Sequence, residues 1–131
     1  MTTRTDRDPI EVVTPLPFDA ALARITDAIG SAGLAVFARI DHARGAAQGG
    51  LAMPPTVVLI YGNPEGGTPI MLAAPNAALD LPLRVLVREV EAGTSVSFHP
   101  VAPMLLTAGV PDHLAHALDP AQHLLLEAIR S

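Results

Sequence analysis

Leu83-Arg84-Val85-Leu86-Val87-Arg88-Glu89-Val90, followed by Glu91-Ala92-Gly93 and then Thr94-Ser95-Val96-Ser97-Phe98, is the stretch that decides the fold. Leu83, Val85 and Val87 point one way while Arg84, Leu86 and Arg88 point the other, the period-two pattern of a strand with one buried face. The short connection ending in Gly93 returns the chain as an antiparallel partner. Upstream of this hairpin, strands alternate with helices; the hairpin breaks that alternation. The sequence therefore predicts an α+β fold, a two-layer sandwich with a mixed, mostly antiparallel sheet and helices on one face.

Upstream, Ile10-Glu11-Val12-Val13 is a short strand stopped by Pro15 and Pro17. Apolar residues then fall at Phe18, Ala21, Leu22, Ile25, Ala28, Ile29 and Ala32, the three-and-four spacing of an amphipathic helix. Gly33 stands where a left-handed residue ends such a helix, and Leu34 supplies the apolar contact beyond it. Residues 34–40 carry apolar side chains on both faces until Arg39, so this strand is expected inside the sheet. Asp41 is a good cap for a short helix after it. Residues 56–61, the most hydrophobic run, are expected to be the central strand. Gly62-Asn63-Pro64-Glu65-Gly66-Gly67 then reads as a loop, with Thr68-Pro69 opening a helix through Ala74.

Past the hairpin the chain turns helical. Residues 103–108 end at Gly109, Pro111 starts a short piece, and Asp119-Pro120-Ala121-Gln122 resembles a capping box with Gln122 reaching back. Leu124, Leu125, Ala128 and Ile129 form the buried face of the last helix.

Composition narrows the chemistry. The chain has 131 residues, 50% apolar and 16% charged, with a net charge of −5. A single domain of this length buries about two-thirds of its unfolded surface, so the whole chain is read as one domain with residues 1–8 flexible. Cysteine is absent, which removes disulfides, thiolate nucleophiles and cysteine-ligated metals. All eight basic residues are Arg, so a P-loop, a Schiff-base enzyme and a Ser-Lys dyad are excluded. The acidic balance and 3% aromatic content argue against nucleic acid. The apolar runs are too short to span a bilayer, and the polar start lacks an apolar signal core. A cytoplasmic protein without a membrane partner is expected.

Several blocks carry a family likeness: Phe37-x-x-Ile40-Asp41-His42, Leu51-x-Met53-Pro54-Pro55-Thr56, Ile60-x-Gly62-Asn63-Pro64, Gly67-Thr68-Pro69-x-Met71 and Asp80-Leu81-Pro82-Leu83-Arg84. Together they resemble the domain of unknown function 302 family from about Ile10 to Phe98, with the likeness weakening afterwards. The resemblance implies a compact α+β domain of bacteria and archaea, commonly homodimeric, without an established activity. It assigns no catalytic residue.

The candidate site therefore rests on the residues themselves. His42, beside Asp41, is either a ligand-facing acid or base, since imidazole titrates near neutrality, or a side chain packed on the sheet edge while Asp41 caps a helix. The glycine-rich segment at Asn63 and Thr68 either offers backbone N–H groups to an anion or serves tight geometry alone. Arg84 either holds a carboxylate or phosphate or pairs with Asp80 or Asp41. Met53 and Met71 are a soft pocket wall or core filler. His113-x-x-His116 and His123 suggest a metal helix, but Asp119-Pro120 interrupts it and no Glu stands beside them; no metal is expected, and no cofactor is named by the sequence. The leading expectation is a homodimeric domain that binds a small anionic or polar ligand in a cleft lined by His42, Asn63, Thr68 and Arg84. One alternative is an enzyme with His42 as acid or base and Arg84 fixing an anionic substrate; the other is an assembly module without a ligand site. The excess of apolar residues over what a small monomer can bury also points to a dimer.

Overall fold

The computed structural model describes residues 5–130. Five strands, β1 (Ile10–Thr14), β2 (Ala35–Asp41), β3 (Thr56–Gly62), β4 (Leu83–Val90) and β5 (Gly93–Phe98), form one sheet in the order β1-β5-β4-β3-β2. Every neighbouring pair is antiparallel. The helices are α1 (Phe18–Ser31), α2 (His42–Gln48), α3 (Pro64–Ala73), α4 (Val101–Thr107), α5 (Asp112–Ala115) and α6 (Asp119–Ala128), with a 3-10 turn at Pro75–Asp80. This is an α+β fold, and the hairpin of β4 and β5 stands at its middle, Val90 opposite Gly93.

The period-two pattern places the core. Leu83, Val85 and Val87 are buried and lie opposite Tyr61, Leu59 and Val57 of β3, while Val87 also meets Val96 of β5. Onto this face α1 lays Ala21, Leu22, Ile25 and Ile29, and α6 lays Leu125, with Ile129 just past its end. Each large apolar side chain so buried contributes about 1.5–3 kcal/mol. The Tyr61 hydroxyl enters this core and donates to the carbonyl of Ala121 at 3.4 Å; burial pushes its pKa well above the usual tyrosine range.

Helix α1 ends as its sequence predicts. Gly33 takes φ +76°, its N–H donates to Gly30 O at 3.0 Å, and Leu34 N–H donates to Ile29 O at 3.1 Å, the paired bonds of a Schellman stop. Asp41 caps α2, its Oδ1 accepting from the Arg44 N–H at 2.9 Å.

Other elements differ from the sequence reading. The central strand is β4, and β3 lies next to the edge. β2 is itself the edge strand, with Val36, Phe37 and Ile40 exposed at 37%, 49% and 44%, although both its faces are apolar. α3 begins at Pro64 and not at Thr68, because Asn63-Pro64 already supplies a cap and an N1 proline; Pro69 falls inside the helix. Asp119 does not cap α6 but pairs with His116 Nδ1 at 2.9 Å. Gln122, 3% exposed, turns away from the start of its own helix. Its Oε1 accepts from Val101 N–H at 3.1 Å and its Nε2 donates to His99 O at 2.9 Å, so it closes the start of α4. Of the expected flexible start, residues 1–4 lie outside the described residues; Thr5 to Asp8 form a turn, with Thr5 N–H donating to Asp8 Oδ2 at 2.8 Å.

Candidate functional site

A cavity of about 520 Å³ opens where β3 runs into α3. Leu34 and Phe37 close it on the β2 side, Gly62, Asn63, Pro64, Gly66, Gly67, Thr68 and Met71 on the α3 side, and Leu81, Pro82 and Leu83 at the start of β4. Leu118, Ala121 and Leu124 of the α6 region complete it. Its volume lies within the range of small-molecule sites, about 300–1,000 Å³. None of its lining residues is charged, and only Asn63 and Thr68 have polar side chains.

The Asn63 amide oxygen and the Thr68 hydroxyl are both spent on the helix start. Asn63 Oδ1 accepts from Glu65 N–H at 2.9 Å, and Thr68 Oγ1 donates to Pro64 O at 2.6 Å. The backbone N–H groups of Gly66 and Gly67 both donate to Asn63 O, at 3.0 and 3.1 Å. The donors that the glycine-rich segment was expected to offer an anion are therefore engaged, and Glu65 adds negative charge to the first turn. An anion gains little here.

Gly66 and Gly67 have another use. Neither takes a positive φ, and a Cβ at either would meet ordinary contacts: Leu118 Cδ2 at 3.6 Å from Gly66, Leu81 Cδ1 and Met71 Cε at 3.8 Å from Gly67. Glycine inside a helix costs about 1 kcal/mol relative to Ala. Nothing in the backbone requires that sacrifice; what the two glycines leave is open volume in the cavity.

The four expected site residues do not share one cleft. Asn63 and Thr68 line the large cavity. Arg84 lines a second pocket of about 250 Å³ with Asp80, His99, Met104 and Gln122, so the histidine that shares a pocket with Arg84 is His99. Arg84 makes no ion pair with Asp80, Asp41 or any other described residue. His42 begins α2, exposed, beyond Asp41. Asp41 lies opposite Val57, whereas Gly62 is five residues further along β3, so Asp41 and Gly62 are roughly 17 Å apart along the sheet, and His42 and Asn63 lie beyond them at opposite ends. The enzyme arrangement of His42 with Arg84 is not assembled. Of the other candidates, Met71 lines the cavity and Met53 is exposed. His116 pairs with Asp119, and the His123 ring lies 6.3 Å from that of Phe98.

The sequence reading missed Phe37, Leu81, Leu118 and Leu124 as wall residues. A signal for the last two was present: Leu118, Ala121 and Leu124 are spaced by three, and Gln122, Leu125 and Ile129 form a separate buried set. A helix apolar on two faces packs against the core with one and has the other to use elsewhere.

The fold is an antiparallel α+β sheet layered with helices beside an uncharged cavity, and comparison with known proteins places it in a family. The chain belongs to the family described as Domain of unknown function DUF302, whose model matches residues 10–131. The match therefore continues through the C-terminal helices, past the point at Phe98 where the sequence blocks weaken. The structure is similar to the crystal structure of uncharacterized conserved protein DUF302 from Bacillus stearothermophilus, with a TM-score of 0.79, 14% identity, and coverage of 92% of this chain and 94% of that one. That likeness shows the fold. Part of the chain, 72 residues, is 42% identical to Fluoride-specific ion channel FluC 1 of Brucella suis and to the protein of the same name from Brucella abortus. These segments are 55% of this chain but 28% and 27% of the Brucella proteins, so the match spans about a quarter of their length. Among the described residues no helix is long and apolar enough to cross a membrane.

Proposed function

We propose that this chain is a binding domain whose ligand is a small, uncharged, mainly apolar molecule held in the cavity between α3, α6 and Phe37, and that it acts as a homodimer in the cytoplasm. The observation that carries the ligand reading is the pair of helical glycines, Gly66 and Gly67, which lower helix propensity and leave volume beside Leu118, Leu81 and Met71. An apolar body in such a site gains about 25 cal/mol for each Å² removed from water. The Asn63 amide nitrogen has no hydrogen bond to a described residue, so one acceptor on the ligand can be satisfied. A carboxylate or phosphate would meet no positive charge.

The test is a titration with the neutral fluorescent probe N-phenyl-1-naphthylamine. Saturable one-to-one binding is expected, weakened at least tenfold in Gly67→Leu, whose side chain grows into the cavity; a loss of about 1.4 kcal/mol corresponds to each factor of ten. Binding that does not saturate, or that Gly67→Leu leaves unchanged, would reject the proposal.

A second reading rests on the Brucella matches alone: the chain works beside a membrane fluoride channel. It predicts that deleting the chain changes the fluoride tolerance of its host, and unchanged tolerance would dismiss it.

A further inference from the structure

We infer that two copies of this chain pair edge to edge through β2, antiparallel about a two-fold axis, with each α2 lying along the other copy's β2. This rests on the homodimer reading above and assigns its surface. Up to Ala38, β2 has the sequence of a strand inside a sheet, apolar on both faces, yet it stands at the edge with Val36, Phe37 and Ile40 open to solvent. Edge strands are ordinarily short, charged or interrupted by proline. The opposite edge follows that rule: β1 has five residues, lies between Pro9 and Pro15, and carries Glu11 bonded to Arg88 at 3.1 Å. β2 has seven residues and no proline, and its charges, Arg39 and Asp41, come only at its end.

The adjoining helix is equally incomplete. α2 has seven residues and buries none of them. So short a helix is marginal in water unless it is packed. At its centre Gly45 has no positive φ and nothing within 4 Å of where a Cβ would stand, so the single chain gives it no steric reason to be glycine. The half-buried Ala43 and Ala46 lie on one side of α2 and the exposed Gly45 on the other, so the bare side of the helix is one that another backbone can approach closely. Of the nine large apolar residues exposed in the described structure, Val36, Phe37, Ile40, Leu51 and Met53 fall in β2 or in the connection between α2 and β3.

A second copy suits this surface in charge as well as in polarity. Arg39 and Asp41 lie on the same face of β2, opposite Leu59 and Val57, and Arg39 makes no ion pair with a described residue. Antiparallel pairing centred on Ile40 sets Arg39 opposite the partner's Asp41 and, by the two-fold, Asp41 opposite the partner's Arg39, with the two Ile40 side chains in contact. Opposite charges across a strand pair are favourable, and the two-fold makes every contact twice. Beyond Asp41 the partner's α2 then runs along Phe37 and Val36. Seven helical residues rise about 10 Å, which matches the reach of three strand residues. Phe37 is a wall of the large cavity, so the dimer covers that wall.

Sedimentation of the full chain and of the variants Gly45→Glu and Ile40→Glu tests the assignment, with circular dichroism to confirm that each remains folded. A dimer at micromolar concentration is expected for the unaltered chain. Gly45→Glu has room in the single chain, so it should stay folded while the dimer dissociation constant rises about a hundredfold; Ile40→Glu should do the same. A monomeric unaltered chain, or a dimer that persists in folded Gly45→Glu, overturns the proposal. Probe binding to the cavity, measured on the monomeric variants, reports separately on the ligand reading.

Discussion

A Cβ at Gly93 would collide with the carbonyl oxygen of Thr14 and lie 2.9 Å from Cα of Pro15, on a backbone at φ +138°. The hairpin needs that residue bare, because the end of β1 crosses it. Gly93→Val should therefore cost about 2 kcal/mol or more, from backbone strain and overpacking together, read as a lower urea midpoint with unchanged slope. A midpoint equal to that of the unaltered chain would contradict the assigned turn. Glu11 provides a pH test at the same scale. Its hydrogen bond from Ser95, at 2.6 Å, and then that from Arg88 hold its carboxyl below the usual carboxylate range. A depressed folded pKa stabilises above the unfolded value and loses that stabilisation as pH falls through the folded value. The pair is largely solvated, so the effect is well under 1 kcal/mol. Glu11→Gln should lie slightly below the unaltered chain in thermal stability at neutral pH, and the gap should close as the pH falls below the carboxylate range. A gap that widens on acidification would be the wrong sign.

Among the elements, α6 and α4 are joined by one side chain. Gln122 satisfies the Val101 N–H and the His99 carbonyl in a buried position, so Gln122→Leu leaves both backbone groups without a partner. Each such loss costs about 1–3 kcal/mol; chemical denaturation should show a loss of about 2–4 kcal/mol, and an unchanged stability would mean that water replaces the amide. The elements that were legible in the sequence are those whose signals are local. The hairpin and α1 follow from periodicity, and the stop at Gly33 and the cap at Asp41 follow from the chemistry of one or two residues. What was not legible depends on partners distant in sequence. Gln122 resembled a capping-box residue because a capping box is the near use of such a side chain; its far use, closing α4, appears only when the two helices meet. β2 resembled an interior strand because it is apolar on both faces, and sequence pattern does not say which neighbours cover it. Gly66-Gly67 resembled part of a loop with N–H groups open to an anion because glycine pairs are most often turns, whereas Asn63-Pro64 starts a helix ahead of them. Reading the segment as a loop also turned an apolar wall into an expected anion site.

For the whole molecule, the sheet separates what the sequence reading had grouped. Antiparallel pairing of β2 with β3 sends Asp41 and His42 to one end of the sheet and Asn63 to the other, so a common cleft is impossible without breaking the register. The cavity that does form is enclosed by α3, α6 and the start of β4, and its chemistry is that of its walls. In the proposed function an apolar ligand occupies this cavity. The chain has four methionines; Met71 lines the cavity, Met104 lines the smaller pocket and Met53 is exposed. Methyl NMR of the methionines during titration with N-phenyl-1-naphthylamine reads these places separately. A saturable shift of the Met71 methyl is expected, with Met53 and Met104 unmoved; a Met71 signal that stays in place, or one that moves no more than that of Met53, would contradict occupancy of the cavity.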